Sequence, residues 1–171
     1  MEWTLPPALE EGDRVAVVAP SSGGAARFPQ VRDLGLRRLR ERFGLEPVLF
    51  PTATKGDEYL RDNPAERARD VERAFADPDI GAVVATIGGD DGVRVLRHLD
   101  TSLLREHPTR FLGMSDNTNL ALALFREGVV SFYGGQLMNE IATPELSGYT
   151  ERYLRRALFV DALGTYEQSD A

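Results

Sequence analysis

The strongest constraint on this chain is a recurrence: short apolar runs without polar alternation, separated by stretches of helical period. The runs cover residues 14–20, 47–51, 81–87, 110–114 and 129–133 and are rich in Val, Ile, Leu and Phe. A run that is apolar along its length has no wet face, so it suits a strand buried on both sides of a parallel sheet. Between the runs, Val31, Leu34, Leu39 and Phe43 mark one amphipathic pattern and Ala65, Ala68, Val71 and Phe75 another, with Arg and Glu opposite. Two further helices are expected over 91–99 and 117–126, the second apolar nearly all round and therefore packed deep. A last amphipathic pattern, Tyr149, Tyr153, Leu154, Ala157 and Leu158, follows a break at 144–148. Alternation of this kind closes through right-handed crossovers into an α/β fold. We expect a three-layer α/β/α sandwich whose mainly parallel, Rossmann-like sheet has about five strands and binds ligands at the strands' carboxyl ends. The expected organisation is one α/β domain over 1–148, then a terminal helix and the start of a linker over 149–171.

Charge and composition exclude several classes of function. With 20 Lys+Arg against 27 Asp+Glu the formal charge is -7, which offers no basic surface to a phosphate backbone, so no nucleic-acid partner is expected. No window approaches the roughly 20 consecutive apolar residues of a bilayer span, and Met1-Glu2-Trp3-Thr4 lacks the start of a signal peptide. No membrane partner and a cytoplasmic location are the expectations. The chain has no cysteine, which removes disulfides, thiolate nucleophiles and zinc–cysteine or iron–sulfur sites. Only His98 and His107 could serve as histidine ligands; no metal and no organic cofactor is expected. His98 falls late in a helix and His107 in a polar loop, positions that suit surface roles.

The informative residues therefore stand just past the runs: Ser21-Ser22-Gly23-Gly24, Gly88-Gly89-Asp90-Asp91, Ser115-Asp116-Asn117-Thr118 and Gly134-Gly135. Each is ordinary turn and capping chemistry when taken singly. Ser115 differs in degree, because Phe111-Leu112-Gly113-Met114-Ser115-Asp116 puts a hydroxyl on a sharp turn between an apolar run and an apolar helix. That is the setting of a nucleophile elbow, where free N–H groups at the helix start can stabilise an oxyanion. The spacing G-x-S-x-G is not met, since position 117 is Asn, and the same turn reads equally as a helix N-cap. A Gly pair at 88–89 could bring a bare backbone N–H close to Ser115 if the third and fourth runs are neighbours. Neither G-x-x-x-x-G-K-[ST] nor G-x-G-x-x-G at the first turn is present.

Four segments, in order, resemble the LD-carboxypeptidase family of serine peptidases, which includes murein tetrapeptide carboxypeptidases and microcin C immunity peptidases. Val15-Ala16-Val17-Val18-Ala19-Pro20-Ser21-Ser22 is similar to the family's opening strand and turn, and Ala85-Thr86-Ile87-Gly88-Gly89 with Leu96 and Leu99-Asp100 to its Gly-Gly segment. Gly113-Met114-Ser115-Asp116-Asn117-Thr118 is similar to its G-x-S-D-x-T turn, and Ser131-Phe132-Tyr133-Gly134-Gly135 to the following strand end. The resemblance covers the family's N-terminal domain. It implies Ser115 as the acyl-forming nucleophile, the N–H groups of Asp116 and Gly89 as the oxyanion hole, and Gly88 and Asp90 as substrate-binding residues. Murein-cleaving members usually carry Arg before the Gly pair; Ile87 stands here and resembles the microcin-immunity branch. A small peptide or an aminoacyl-nucleotide-like substrate is therefore expected. The resemblance also implies a C-terminal domain, absent from this chain, that supplies the general-base His and the Glu orienting it. The expectation is the N-terminal half of a serine carboxypeptidase. The alternatives are a catalytically inactive module binding a small peptide or nucleotide-like ligand, and an interaction domain whose exposed apolar surface pairs two copies as a homodimer.

Overall fold

Val15 and Val17 point to one side of the central sheet and Ala16 and Val18 to the other, and all four are fully buried. That double burial makes the first apolar run a strand. In the computed structural model, which describes residues 3–162 and 164–169, the strands are β1 (Arg14–Val18), β2 (Glu46–Leu49), β3 (Ile80–Ala85), β4 (Arg110–Gly113) and β5 (Phe132–Tyr133). Every neighbouring pair is parallel and the spatial order is β2-β1-β3-β4-β5. The α/β class and the parallel sheet expected from the sequence are both present. The chain leaves β1 toward one edge and returns past it to β3, so the order reverses between β1 and β3, where open sheets of this class form a crevice.

Helices cover both faces: α1 (Gly24–Arg27), α2 (Pro29–Phe43), α3 (Asp57–Asp62), α4 (Pro64–Ala76), α5 (Thr101–Glu106), α6 (Thr118–Arg126) and α7 (Gly148–Phe159). Leu39 and Phe43 of α2 pack with Leu154, Ala157 and Leu158 of α7 against Val15, Val17, Val84 and Leu112. Val71, Ala74 and Phe75 of α4, Leu104 of α5 and Leu120 and Leu124 of α6 pack the other face against Ala16, Val18, Val83 and Phe111. Local chemistry sets the ends. Pro occupies the start of α2 and of α4, where a missing N–H costs nothing. Gly44 closes α2 in the left-handed conformation, its N–H reaching the Arg40 and Leu39 carbonyls, and the Ser147 side chain caps α7 by accepting from the Thr150 N–H.

Three expectations are corrected. The 129–133 run yields a strand of two residues, because Val129 instead bridges Thr4 near the start of the chain. The pattern over 91–99 folds as a 3-10 helix, Gly92–His98. Most instructive is α6, whose all-round apolar sequence does not pack deep on every side: Leu122 and Phe125 are 56% and 57% exposed. As an outer-layer helix α6 turns only one side to the sheet, and the Trp3 ring packs tilted against Phe125 at 4.6 Å between centroids. Leu124→Ala is thus expected to cost about 2–5 kcal/mol in a urea melt, whereas Leu122→Gln should change stability by less than about 0.5 kcal/mol.

No described helix is long and apolar enough to cross a membrane. Met1 and Glu2, read above for a signal peptide, and positions 163, 170 and 171 of the expected 149–171 segment lie outside the described residues.

Candidate active site

Ser115 sits two residues beyond the end of β4 at φ 58°, the non-glycine residue with positive φ among the described residues. The left-handed region costs an L-residue roughly 1 kcal/mol or more, so the turn is held against that cost by its surroundings. The restraints are local. Asn117, buried, donates from Nδ2 to the carbonyls of Ile87 at 3.1 Å and Met114 at 3.3 Å, pinning the turn to the end of β3. Thr118 Oγ1 donates to the Ser115 carbonyl, and the Ser115 N–H donates to the Tyr133 hydroxyl at 3.3 Å. Asn at 117, where the elbow spacing would have Gly, therefore supplies a tether that glycine could not. The Ser115 side chain is exposed and its hydroxyl has no hydrogen-bond partner among the described residues.

The Gly pair lies against this turn. A Cβ on Gly88 would stand 2.9 Å from Ser115 Cβ and 3.1 Å from its Oγ, and one on Gly89 would stand 2.6 Å from Ser21 Oγ. Only glycine fits either contact, and the expected neighbouring of the third and fourth runs is the reason they meet. The Gly88 N–H is committed to the Gln136 side-chain oxygen at 3.1 Å and its carbonyl accepts from Ser22 Oγ at 2.6 Å. The Gly89 N–H has no acceptor among the described residues. Asp116 is the second residue of the 3-10 turn Ser115–Asn117 before α6, where N–H groups lack intrahelical partners. Asp90 is exposed at the mouth of a cleft of about 440 Å³ lined by Ser21, Ser22, Arg27, Asp57, Arg61 and Gly89.

The Asp116 carboxylate holds the turns together. Its Oδ2 accepts from the N–H groups of Asp91 at 3.0 Å and Gly92 at 2.7 Å and from the Ser21 hydroxyl, while Oδ1 accepts from Asn119 Nδ2 at 2.9 Å. With both oxygens engaged by Ser21, Asp91, Gly92 and Asn119, it serves here as a structural acceptor. Neither histidine side chain makes a hydrogen bond or ion pair among the described residues, and no described group of three or more His, Cys, Asp or Glu could hold a metal.

Three contributors escaped the sequence reading. Gln136, fully buried, bridges the Gly88 N–H to the Met114 carbonyl and so spans both turns; a lone amide between Gly135 and Leu137-Met138 was its only sign. Tyr133 reaches the Ser115 N–H from β5 and also lines a second cavity, of about 410 Å³, with Glu140, Tyr149 and Tyr153. Arg67 is buried behind the turns and paired with Asp91 at 2.7 Å; its signal was its place one turn before Val71 on the apolar side of α4.

Glu140 accepts from the Gln136 N–H at 2.7 Å, yet burial pushes its carboxyl up from the usual glutamate range. An acid whose folded value is raised binds more protons in the native than in the unfolded state between the two values. Its contribution is full below the unfolded value and lost as pH rises through the folded one. Glu140→Gln, which keeps the accepting oxygen, is expected to flatten the fall of stability with rising pH above the ordinary glutamate value. Urea melts of both proteins across that range check it, and parallel curves would contradict it.

Known proteins resemble the chain in sequence and in fold. Residues 15–134 match the LD-carboxypeptidase N-terminal domain. The chain is 33% identical over 164 residues to the "Probable murein peptide carboxypeptidase" of Bacillus subtilis (strain 168), covering 95% of this chain and 50% of that protein. The crystal structure of an MccF-like protein from Bacillus anthracis str. Ames superposes with a TM-score of 0.84 at 28% identity, covering 92% of this chain and 47% of that one. An MccF-like protein from Streptococcus pneumoniae, solved in complex with AMP, superposes at 0.78 with 32% identity over 86% of this chain and 45% of that one. The chain thus spans about half the length of the curated relatives it matches.

Proposed function

The chain belongs to the LD-carboxypeptidase family, and from that premise we propose that it is the nucleophile-bearing half of a cytoplasmic serine carboxypeptidase acting through an acyl-enzyme on Ser115. In this reading Ser115 Oγ attacks the carbonyl carbon of an amide, the C–N bond breaks, and the hydroxyl proton leaves on the departing amine. Water then cleaves the ester and restores the hydroxyl. The N–H groups of Asp116 and Gly89 face the developing oxyanion, while Gly88 and Asp90 border the bound substrate. The base that moves the proton comes from outside this chain, from a further domain following the 149–171 segment. The observation that carries the reading is the strained φ of an exposed serine with Gly88 packed against its Cβ.

For the substrate, the residue at issue is Ile87, which stands where murein-cleaving members usually carry Arg. Ile87 packs against the core of one sheet face, so position 87 supplies no cation to hold a peptide carboxylate, and the cations bordering the cleft are Arg27 and Arg61. An aminoacyl-nucleotide-like substrate fits that better than a murein peptide, and the AMP complex of the Streptococcus pneumoniae relative supports it. The test is fluorophosphonate labelling of the protein isolated from its own host, followed by peptide mapping. An adduct on Ser115, absent from Ser115→Ala, is expected. Labelling elsewhere, or none, would leave a module that only binds such a ligand, the reading favoured by the lack of a base near Ser115 among the described residues.

A further inference from the structure

Arg67 is a cation where its helix should be apolar. None of it reaches solvent. Its Nη1 donates to the carbonyls of Pro20 at 3.2 Å, Ser21 at 3.0 Å and Asp91 at 3.4 Å, and its Nη2 to the Asp91 carboxylate at 2.7 Å. Its Nε has no acceptor among the described residues. Burial pulls the guanidinium down from its usual range, against the opposing pull of Asp91. A buried ion pair with an orphaned donor is seldom more stabilising than an apolar residue of the same size. Stability alone therefore does not account for Arg67.

Its contacts do something an apolar side chain could not. One planar fork gathers the turn after β1 and the turn after β3 to a single point. From there the Asp91 and Gly92 N–H groups run to the Asp116 carboxylate, which also takes the Ser21 hydroxyl. The three turns that end β1, β3 and β4 are thus joined in one polar chain, and Gly89 and Asp116 stand in two of them. Oxyanion donors work within about 2.7–3.1 Å of the charge, so their mutual spacing matters more than the exact depth of either.

We propose that Arg67 is a positioning residue: through Asp91 and the Asp116 carboxylate it fixes the separation of the Gly89 and Asp116 N–H groups. The inference rests on the reading of Ser115 as nucleophile. Loss of Arg67 then acts on the tetrahedral state, in which the oxyanion exists, and spares ground-state binding.

A fluorophosphonate reports on the same geometry: the Oγ–P bond forms as the P–F bond breaks, fluoride and the hydroxyl proton leave to solvent, and a phosphonyl oxygen stands where the oxyanion would lie. In the full chain, Arg67→Met should lower the maximal labelling rate of Ser115 by about 100-fold, with the half-saturating probe concentration little changed. Amide exchange at Asp91 and Gly92 should quicken while Val83 and Val84, in the core of β3, keep their protection. Arg67→Lys, which restores charge without the fork, should recover little of the rate. An unchanged labelling rate would overturn the proposal, as would loss of protection spread equally over Val83, Val84, Asp91 and Gly92, the sign of a mere stabiliser. If Arg67→Met does not fold, Asp91→Asn loosens the same link from its half-exposed side and is read in the same way. If wild-type Ser115 takes no label, the nucleophile reading fails, and the exchange pattern by itself decides whether Arg67 holds the turns.

Discussion

Ser115→Gly is expected to make the protein more stable and inactive at once. At φ 58° the serine occupies backbone space that glycine enters freely. Relief of about 1–2 kcal/mol of left-handed strain, less the extra freedom glycine gains in the unfolded chain, leaves a net gain of about 1 kcal/mol. For a domain of this size that raises the melting temperature by about 2–4 °C. Ser115→Ala keeps the strain and should melt with the wild type. Both variants remove the oxygen that would carry the acyl group, so turnover in the proposed reaction should fall by about 10³-fold or more. Opposite movement of stability and activity at one residue is the mark of strain retained for chemistry. Thermal melts beside the fluorophosphonate assay check it. A Ser115→Gly protein that melts no higher than wild type would show that the turn stores no strain, and retained turnover would remove Ser115 from the reaction.

The sheet was legible because its signal is local. Val15 to Val18 and Ala82 to Ala85 are apolar at each position, and only a strand covered on both faces satisfies that pattern. The strand-end turns were legible for the same reason: Ser, Gly and Asp at a run's end announce a turn, and the family's motifs stand in those turns. The side chains that join the turns were not. Asp116 was read for its N–H, whereas its carboxylate acquires meaning only when Asp91, Gly92 and Ser21, as many as 95 residues away, are brought to it. Arg67 depends on carbonyls 46 and 47 residues earlier. In α6 the error ran the other way, since apolar periodicity does not say which layer a helix occupies or that Trp3 will lie against Phe125.

At the amino end of the sheet, Arg110→Met is expected to be the most destabilising of these substitutions. Arg110 opens β4 and is wholly buried. Its Nε donates to the Pro7 carbonyl at 2.7 Å and the Pro6 carbonyl at 3.2 Å, and its Nη1 to the carbonyls of Ala157 at 2.6 Å and Val160 at 2.8 Å. The guanidinium also lies over the Phe132 ring at 5.3 Å. Its carboxylate partner among the described residues, Asp161 at 3.4 Å, has a side chain 84% exposed, so a screened charge contributes little. The worth of Arg110 lies in the carbonyls. Two belong to the entering chain, which has no ladder partner there, and two to the end of α7, where carbonyls lack intrahelical donors. Methionine fills the same space and leaves all four without this donor, at a cost of about 3–5 kcal/mol and a melting temperature lower by about 6–20 °C. Arg110→Lys, a single point charge, cannot serve both pairs and should fall between. Amide exchange should show α7 loosening before β1 and β3, because once the clamp is gone the helix keeps the packing of Leu154, Ala157 and Leu158, the Leu9 N–H on the Leu158 carbonyl and the Arg42–Glu151 pair, but no ladder of strand bonds. A melting temperature within about 2 °C of wild type, less than 1 kcal/mol, would contradict the account. Arg67 and Arg110 then divide by a second readout: loss of either should lower the melting temperature, whereas loss of Arg67 should also slow the labelling of Ser115.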